Sequence, residues 1–313
     1  MILGIHHVTA IAGDPSRNLS FYTGVLGLRL VKKTVNFDDP ETYHLYFGDE
    51  VGHPGTIMTF FPWPGAQRGR RGVGQVTVTG FAAPAASLGY WVERLESRGV
   101  TTDWSEILGE EVVGFEDPDG LKLEIVAAQD AADRPAWTDG PVLVEHAIRG
   151  FAHLTLAEQG YDATARLLSE VMGFQLVAET GNRFRYAAAA GGSGTRVDVR
   201  CMPDAPPGRT AVGTVHHVAY RVAGDTEQRE WRERLVGLGL NVTPVLDRSY
   251  FRSIYYREPG GVLFEIATDT PGFTVDEPRE RLGTTLQLPP SLEPSRERIE
   301  RALPPLGEAR VHA

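Results

Sequence analysis

The chain is built from four copies of one unit. Gly4-Ile5-His6-His7-Val8-Thr9 and Gly150-Phe151-Ala152-His153-Leu154-Thr155 share a layout. Each is followed by a helix-like stretch and then by a matched phrase, Val25-Leu26-Gly27-Leu28-Arg29-Leu30-Val31 or Val171-Met172-Gly173-Phe174-Gln175-Leu176-Val177. A second type of unit alternates with the first, opening at Val73-Gly74-Gln75 and at Val215-His216-His217. Its copies close on Glu116-Asp117-Pro118-Asp119-Gly120 leading to Glu124, and on Arg257-Glu258-Pro259-Gly260-Gly261 leading to Glu265. Within each unit the pattern runs strand, amphipathic helix, then short alternating strands divided by Gly, Pro or Asp turns. Units that cannot cover their own apolar faces must stack on one another. The expectation is an α+β fold of four βαβββ modules forming curved mixed sheets. Residues 1–137 carry modules one and two, and 138–270 carry modules three and four. A Pro-rich, charged stretch, 271–313, follows as a packing arm or lid, with a helix around Glu293 to Ala302.

A chain of 313 residues exceeds what one compact core usually holds, which suits this repeat architecture. A formal net charge of -10 argues against general affinity for nucleic acid or anionic membranes, because phosphate binding needs a basic face. No apolar run approaches the ~20 residues of a membrane span, and no basic start precedes an apolar leader, so a cytoplasmic protein is expected. Cys201 stands alone, which excludes an intrachain disulfide and any cysteine-built metal site. Gly191-Gly192-Ser193-Gly194 lacks the lysine and helix context of a phosphate loop and reads as a hairpin connection.

Alternate side chains of a strand share a face, so residues from the first and last strands of a module can point into one cavity. At the matching first-strand position, modules one to four hold His7, Gln75, His153 and His217; at the last-strand position only the second and fourth carry a carboxylate, Glu124 and Glu265. Two histidines and one carboxylate leave open positions on Fe(II), as oxygen-activating non-haem sites require. A lone histidine opening a strand is ordinarily structural. Its recurrence at three of four equivalent positions, with a glutamate in the same module as His217, points to a metal. Spacing leaves the third ligand open: pairing in chain order brings in His153, and closure of the first module on the fourth brings in His7. The doublet His6-His7-Val8 mirrors His216-His217-Val218 and favours His7, whereas Ala152 gives His153 no such neighbour.

With the opening Gly-Ile-His-His-Val-Thr, the run Val215-His216-His217-Val218-Ala219-Tyr220 and Phe264-Glu265-Ile266-Ala267-Thr268-Asp269, the chain resembles the vicinal oxygen chelate superfamily. Thr42-Tyr43-His44-Leu45-Tyr46-Phe47-Gly48-Asp49 and Thr59-Phe60-Phe61-Pro62-Trp63 extend the likeness to its hydroquinone ring-cleaving branch, typified by the dichlorohydroquinone dioxygenases. The resemblance implies that His7, His217 and Glu265 bind Fe(II) or Mn(II), with His6, Thr9 and His216 lining the cavity and Tyr255 and Arg248 contacting substrate. It implies a small aromatic diol and O2 as partners, no nucleic acid or membrane partner, and leaves a homo-oligomer open. His6 or His216 would take the phenol proton, since imidazole titrates near neutrality. His153 departs from the pattern, which calls for histidine one place earlier. Three alternatives share the scaffold: an extradiol catechol dioxygenase, a glyoxalase-like isomerase, and a non-catalytic aromatic or drug-binding protein. The isomerase would need a second glutamate, where this chain offers Thr59.

Overall fold

A computed structural model of the chain describes residues 1–188 and 191–307. Module one comprises β1 (Ile5–Ala12), α1 (Pro15–Ser20), β2 (Arg29–Asn36), β3 (Asp39–Gly48) and β4 (Ile57–Pro62). Module two comprises β5 (Gln75–Pro84), α2 (Leu88–Ser97), β6 (Asp103–Ile107), β7 (Glu110–Glu116) and β8 (Lys122–Ala128). Module three follows with β9 (Phe151–Glu158), α3 (Asp162–Arg166), β10 (Gln175–Thr180), β11 (Arg183–Ala187) and β12 (Arg196–Cys201). Module four has β13 (Thr214–Val222), α4 (Asp225–Gly237), β14 (Leu246–Asp247), β15 (Arg252–Arg257) and β16 (Leu263–Thr268). The four βαβββ units expected from the repeat are thus present.

Local chemistry sets the helices. Asp14 caps α1 by accepting from the Arg17 backbone N–H at 2.7 Å, with Pro15 preset for the first helical turn. In α2 the buried residues Leu88, Trp91 and Leu95 recur at helical spacing, and in α4 Gln228, Trp231 and Leu235 do the same. Gln228 is polar yet buried because its Nε2 donates to the carbonyls of Arg252 and Ile266, tying α4 to β15 and β16.

The strands form two eight-stranded sheets, ordered β14-β15-β16-β13-β1-β4-β3-β2 and β10-β11-β12-β9-β5-β8-β7-β6. Module one therefore closes on module four, and module two on module three. Residues 1–137 and 138–270 each contribute half of each sheet. The central pairs, β1 with β13 and β5 with β9, are antiparallel, and each central strand lies parallel to the last strand of its own module.

After β16 the chain crosses to β2 and β3. Lys32, fully buried, sits 2.5 Å from both Asp276 and Glu277, an ion pair that clamps the arm to the sheet. Leu288, Ile299 and Leu303 then cover Val35, and the helix α5 (Arg296–Ala302) lies where the sequence places one. This is a packing arm on the β2–β3 hairpin; residues 308–313 of the expected tail lie outside the described residues.

One buried group opposes the fold. Both oxygens of Glu158 lack hydrogen-bond partners, and burial, with Glu258 beside it, pushes its carboxyl up to about 8. The unfolded chain loses this proton near pH 4.5 and the folded chain keeps it until about 8, so stability falls as pH rises across that window. Glu158→Gln is expected to raise Tm clearly at pH 8 and hardly at pH 5. Equal gains at both pH values in thermal unfolding would contradict a protonated Glu158.

Candidate metal centre

His7 projects from β1, His217 from β13 and Glu265 from β16, all buried. His217 Nε2 lies 3.0 Å and His7 Nε2 3.2 Å from Glu265 Oε2, and the two Nε2 atoms are 3.3 Å apart. Three ligands at right angles, each about 2.1 Å from a shared ion, would stand about 3 Å from one another. Glu265 Oε2 has no hydrogen-bond partner. An electron-rich triangle of this size, buried and otherwise unsatisfied, suits a divalent cation.

The neighbouring histidines explain why the electron pairs turn inward. His6 Nδ1 is 2.9 Å from His7 Nδ1, and His216 Nδ1 is 2.8 Å from His217 Nδ1. With each Nδ1–H donated outward, Nε2 of His7 and of His217 presents its lone pair to the centre. His6 is anchored in turn by the Thr268 backbone. Ser253 donates to Oε1 of Glu265, leaving Oε2 for the centre. Burial alone would push the Glu265 carboxyl up, but His7 and His217 outweigh it and hold it well below its usual range. Burial, then His7, drives His6 well below ordinary imidazole, and burial, then His217, drives His216 down to about 3.

A cavity of about 370 Å³ opens on this triangle, walled by aromatic rings and leucines. His216, Tyr255 and Arg248 line it; His6 does not, lying behind His7 against Phe251. His216, and not His6, is therefore the imidazole at the cavity wall beside the triangle. Burial, then the Glu265 charge, pushes the Tyr255 phenol up and keeps it a hydrogen donor. Arg248 lies over the Tyr255 ring and pairs with Asp38 at 3.0 Å. Thr9, expected to line the cavity, is not among its lining residues; it is fully buried, its Oγ1 3.0 Å from Thr59 Oγ1. Thr59 Oγ1 is 2.6 Å from His44 Nε2, whose Nδ1 is 2.8 Å from the Tyr46 hydroxyl. His44 also lines the cavity, and the sequence assigned a role to neither it nor Ser253; Ser253 shares a strand face with Tyr255, two positions on, which was the available signal.

Register shows what became of the other half. Thr9 faces His217 across the central strands, Ala219 lies beside Glu265, and Thr9 lies beside Thr59. In the second sheet the same places hold Thr155 and Val78, Gly80 and Glu124, Thr155 and Asp198. The counterpart of His217 is thus Val78, not Gln75 as the sequence pattern suggested; Gln75 stands at the far end of β5, beside Thr210. His153 is 3.1 Å from Glu124, in the other sheet from His217 and Glu265, and does not join them. The strand register also aligns Arg185 with Tyr46, so this half carries a guanidinium where the first carries a phenol. Arg185 grips Asp198 with both ends, at 2.7 and 3.0 Å, and reaches Glu110. Among the described residues, His7, His217 and Glu265 form the one cluster suited to a metal.

Comparison with known proteins agrees with this architecture. The chain is 49% identical over 97% of its length to MhqO of Bacillus subtilis (strain 168), provisionally named a ring-cleaving dioxygenase, and covers 96% of that protein. It is 36% identical over 96% of its length to a chlorohydroquinone/hydroquinone 1,2-dioxygenase of Sphingobium indicum, covering 95% of it. A crystal structure of a provisionally named dioxygenase from B. subtilis superposes with a TM-score of 0.95 at 49% identity, covering 99% of this chain and 98% of that one. Residues 4–125 and 150–266 each match the same family profile, and the chain belongs to the Glyoxalase/Bleomycin resistance protein/Dioxygenase superfamily.

Proposed function

We propose that the chain is a ring-cleaving dioxygenase that inserts O2 into a hydroquinone-type aromatic diol, with Fe(II) or Mn(II) held by His7, His217 and Glu265. The observation that carries this reading is the triangle of inward-facing ligand atoms, with Glu265 Oε2 unsatisfied, opening onto a cavity walled by aromatic rings. The relatives named for ring cleavage, one of them for hydroquinones, support it. A divalent metal there supplies the positive charge that favours a bound phenolate and a path for electrons from ring to dioxygen.

The protein's own groups do the rest. Phe251, against His7, and Phe61, against His216, offer faces for the ring. Tyr255, held protonated, donates a hydrogen bond to developing negative charge on oxygen, and Arg248 adds a fixed cation beside it. His216 stays neutral, and with its Nδ1 accepting from His217 its Nε2–H is a hydrogen-bond donor at the cavity wall. Thr59 occupies the register position where an isomerase would carry its second carboxylate, so a neutral hydroxyl leaves that side of the centre open.

His6 and His216 orient the ligands through their Nδ1 atoms, so His6→Ala and His216→Ala are each expected to weaken metal binding by about 10–100-fold. Competition with a chromophoric chelator measures this; affinity equal to wild type in both variants would remove the orienting role. The function itself is tested by oxygen uptake of Fe(II)-loaded protein with hydroquinone and with catechol. Uptake with hydroquinone is expected. Uptake confined to catechol would move the chain to the extradiol class, and none despite stoichiometric metal would end the dioxygenase reading.

A further inference from the structure

A second cavity, of about 250 Å³, adjoins the first and shares Trp63, His216, His217 and Leu263 with it. Strand register explains the junction. Between β15 and β16, Tyr255 pairs with Glu265 and Arg257 with Leu263, so Arg257 and Leu263 repeat the same face one pleat further on, about 7 Å along the strands. Arg257 thus lines the second cavity as Tyr255 lines the first.

The two cavities differ in chemistry. In the first, Arg248 is paired with Asp38 and lies over the Tyr255 ring. The second holds one formal charge, Arg257, which donates to the Gly261 carbonyl at 2.8 Å and, among the described residues, pairs with no carboxylate. Gln75 reaches the same cavity from β5 and is 6% exposed. Its Oε1 is buried without a hydrogen-bond partner, and its Nε2 spends one N–H on Thr210 Oγ1 at 3.3 Å and keeps the other. A buried amide left incomplete marks a place where a ligand, or water that it carries in, supplies the missing partner.

Ring cleavage creates a group that suits this place. O2 insertion breaks the bond between a hydroxyl-bearing carbon of the diol and its neighbour. Both oxygen atoms enter, the first carbon ending as a carboxylic acid and the second as an aldehyde. At neutral pH the acid releases its proton to water, so a compact neutral ring becomes a longer open chain with an anionic end. An unpaired guanidinium binds such an end through parallel N–H donors.

We propose that the second cavity is the subsite for the carboxylate of the ring-opened acid, held by Arg257 with the Gln75 amide beside it, the product lying across the junction of the two cavities before it leaves. The subsite rests on the ring-cleavage reading for the identity of its ligand, and on Arg257 and Gln75 for its position.

The test is calorimetry on the Mn(II)-loaded protein with cis,cis-muconate, a stable six-carbon diacid, and with its monomethyl ester, which keeps one carboxylate for the metal and none for Arg257. Muconate is expected to bind at least about tenfold more tightly than the ester, the scale of a charge-assisted pair. Arg257→Gln is expected to erase most of that preference, and Arg257→Lys, which keeps a cation without the planar fork, to retain part of it. Equal binding of diacid and ester by the wild type, or a preference that survives Arg257→Gln unchanged, overturns the subsite. Arg257-dependent binding with no oxygen uptake from any diol would sink ring cleavage and leave a carboxylate site beside the metal centre. Uptake with hydroquinone and no preference for the diacid would do the reverse.

Discussion

Alanine in place of His7, His217 or Glu265 is expected to cut bound Fe(II) or Mn(II) from one ion per chain to near zero and to abolish oxygen uptake, while His153→Ala keeps the ion. Each of the three supplies one vertex of a triangle with edges of 3.0, 3.2 and 3.3 Å, and two vertices leave a divalent ion bound largely by water. The loss should exceed the ~10–100-fold cost of removing an orienting neighbour. Metal analysis after gel filtration decides it. The same variants need not unfold the protein, because removing Glu265 also removes a buried charge, and removing either histidine relieves the crowding of electron pairs. Metal lost from His153→Ala and retained by His7→Ala would transfer the centre to the other sheet.

The second large effect is on stability and lies in that other sheet. Arg185→Met is expected to destabilise the fold by about 3–5 kcal/mol, since breaking a buried pair leaves an uncompensated charge. Asp198 is fully buried, and its two oxygens are held by Arg185 at 2.7 and 3.0 Å. The remaining cation nearby, Arg183, approaches it only to 3.6 Å. At about 2–4 °C per kcal/mol for a large domain, Tm should fall by roughly 10 °C. Metal content should not change. Adding Asp198→Leu to Arg185→Met is expected to restore much of the loss, because replacing both partners by apolar groups is often neutral. A drop of under about 2 °C in the single variant would show that solvent reaches the pair and screens it.

The repeat and the strand order within each module were legible in the sequence because strand alternation and turn residues are local signals. His217 and Glu265 could be matched within one module, and the His6-His7 doublet, by likeness to His216-His217, favoured His7, which the fold brings beside both of them. What was not legible is what depends on distant partners. The run Val76-Thr77-Val78-Thr79 alternates in a way that fits several registers, and only pairing with β9 fixes Val78 opposite Thr155. Spacing alone could not choose between closure in chain order and closure of the first module on the fourth; the two sheets adopt the latter. The place of His44 on the cavity wall depends on Thr59, on the neighbouring strand, to which its Nε2 is hydrogen-bonded.

The pairing of β1 with β13 has a consequence for biosynthesis. Glu265 is made some 250 residues after His7, by which time modules two and three have already left the ribosome. They can join into their own sheet while β1 still waits for its partner. A metal held by His7, His217 and Glu265 would therefore find its complete site only after translation has passed residue 265, and a fragment ending at 137 would carry one of these three side chains.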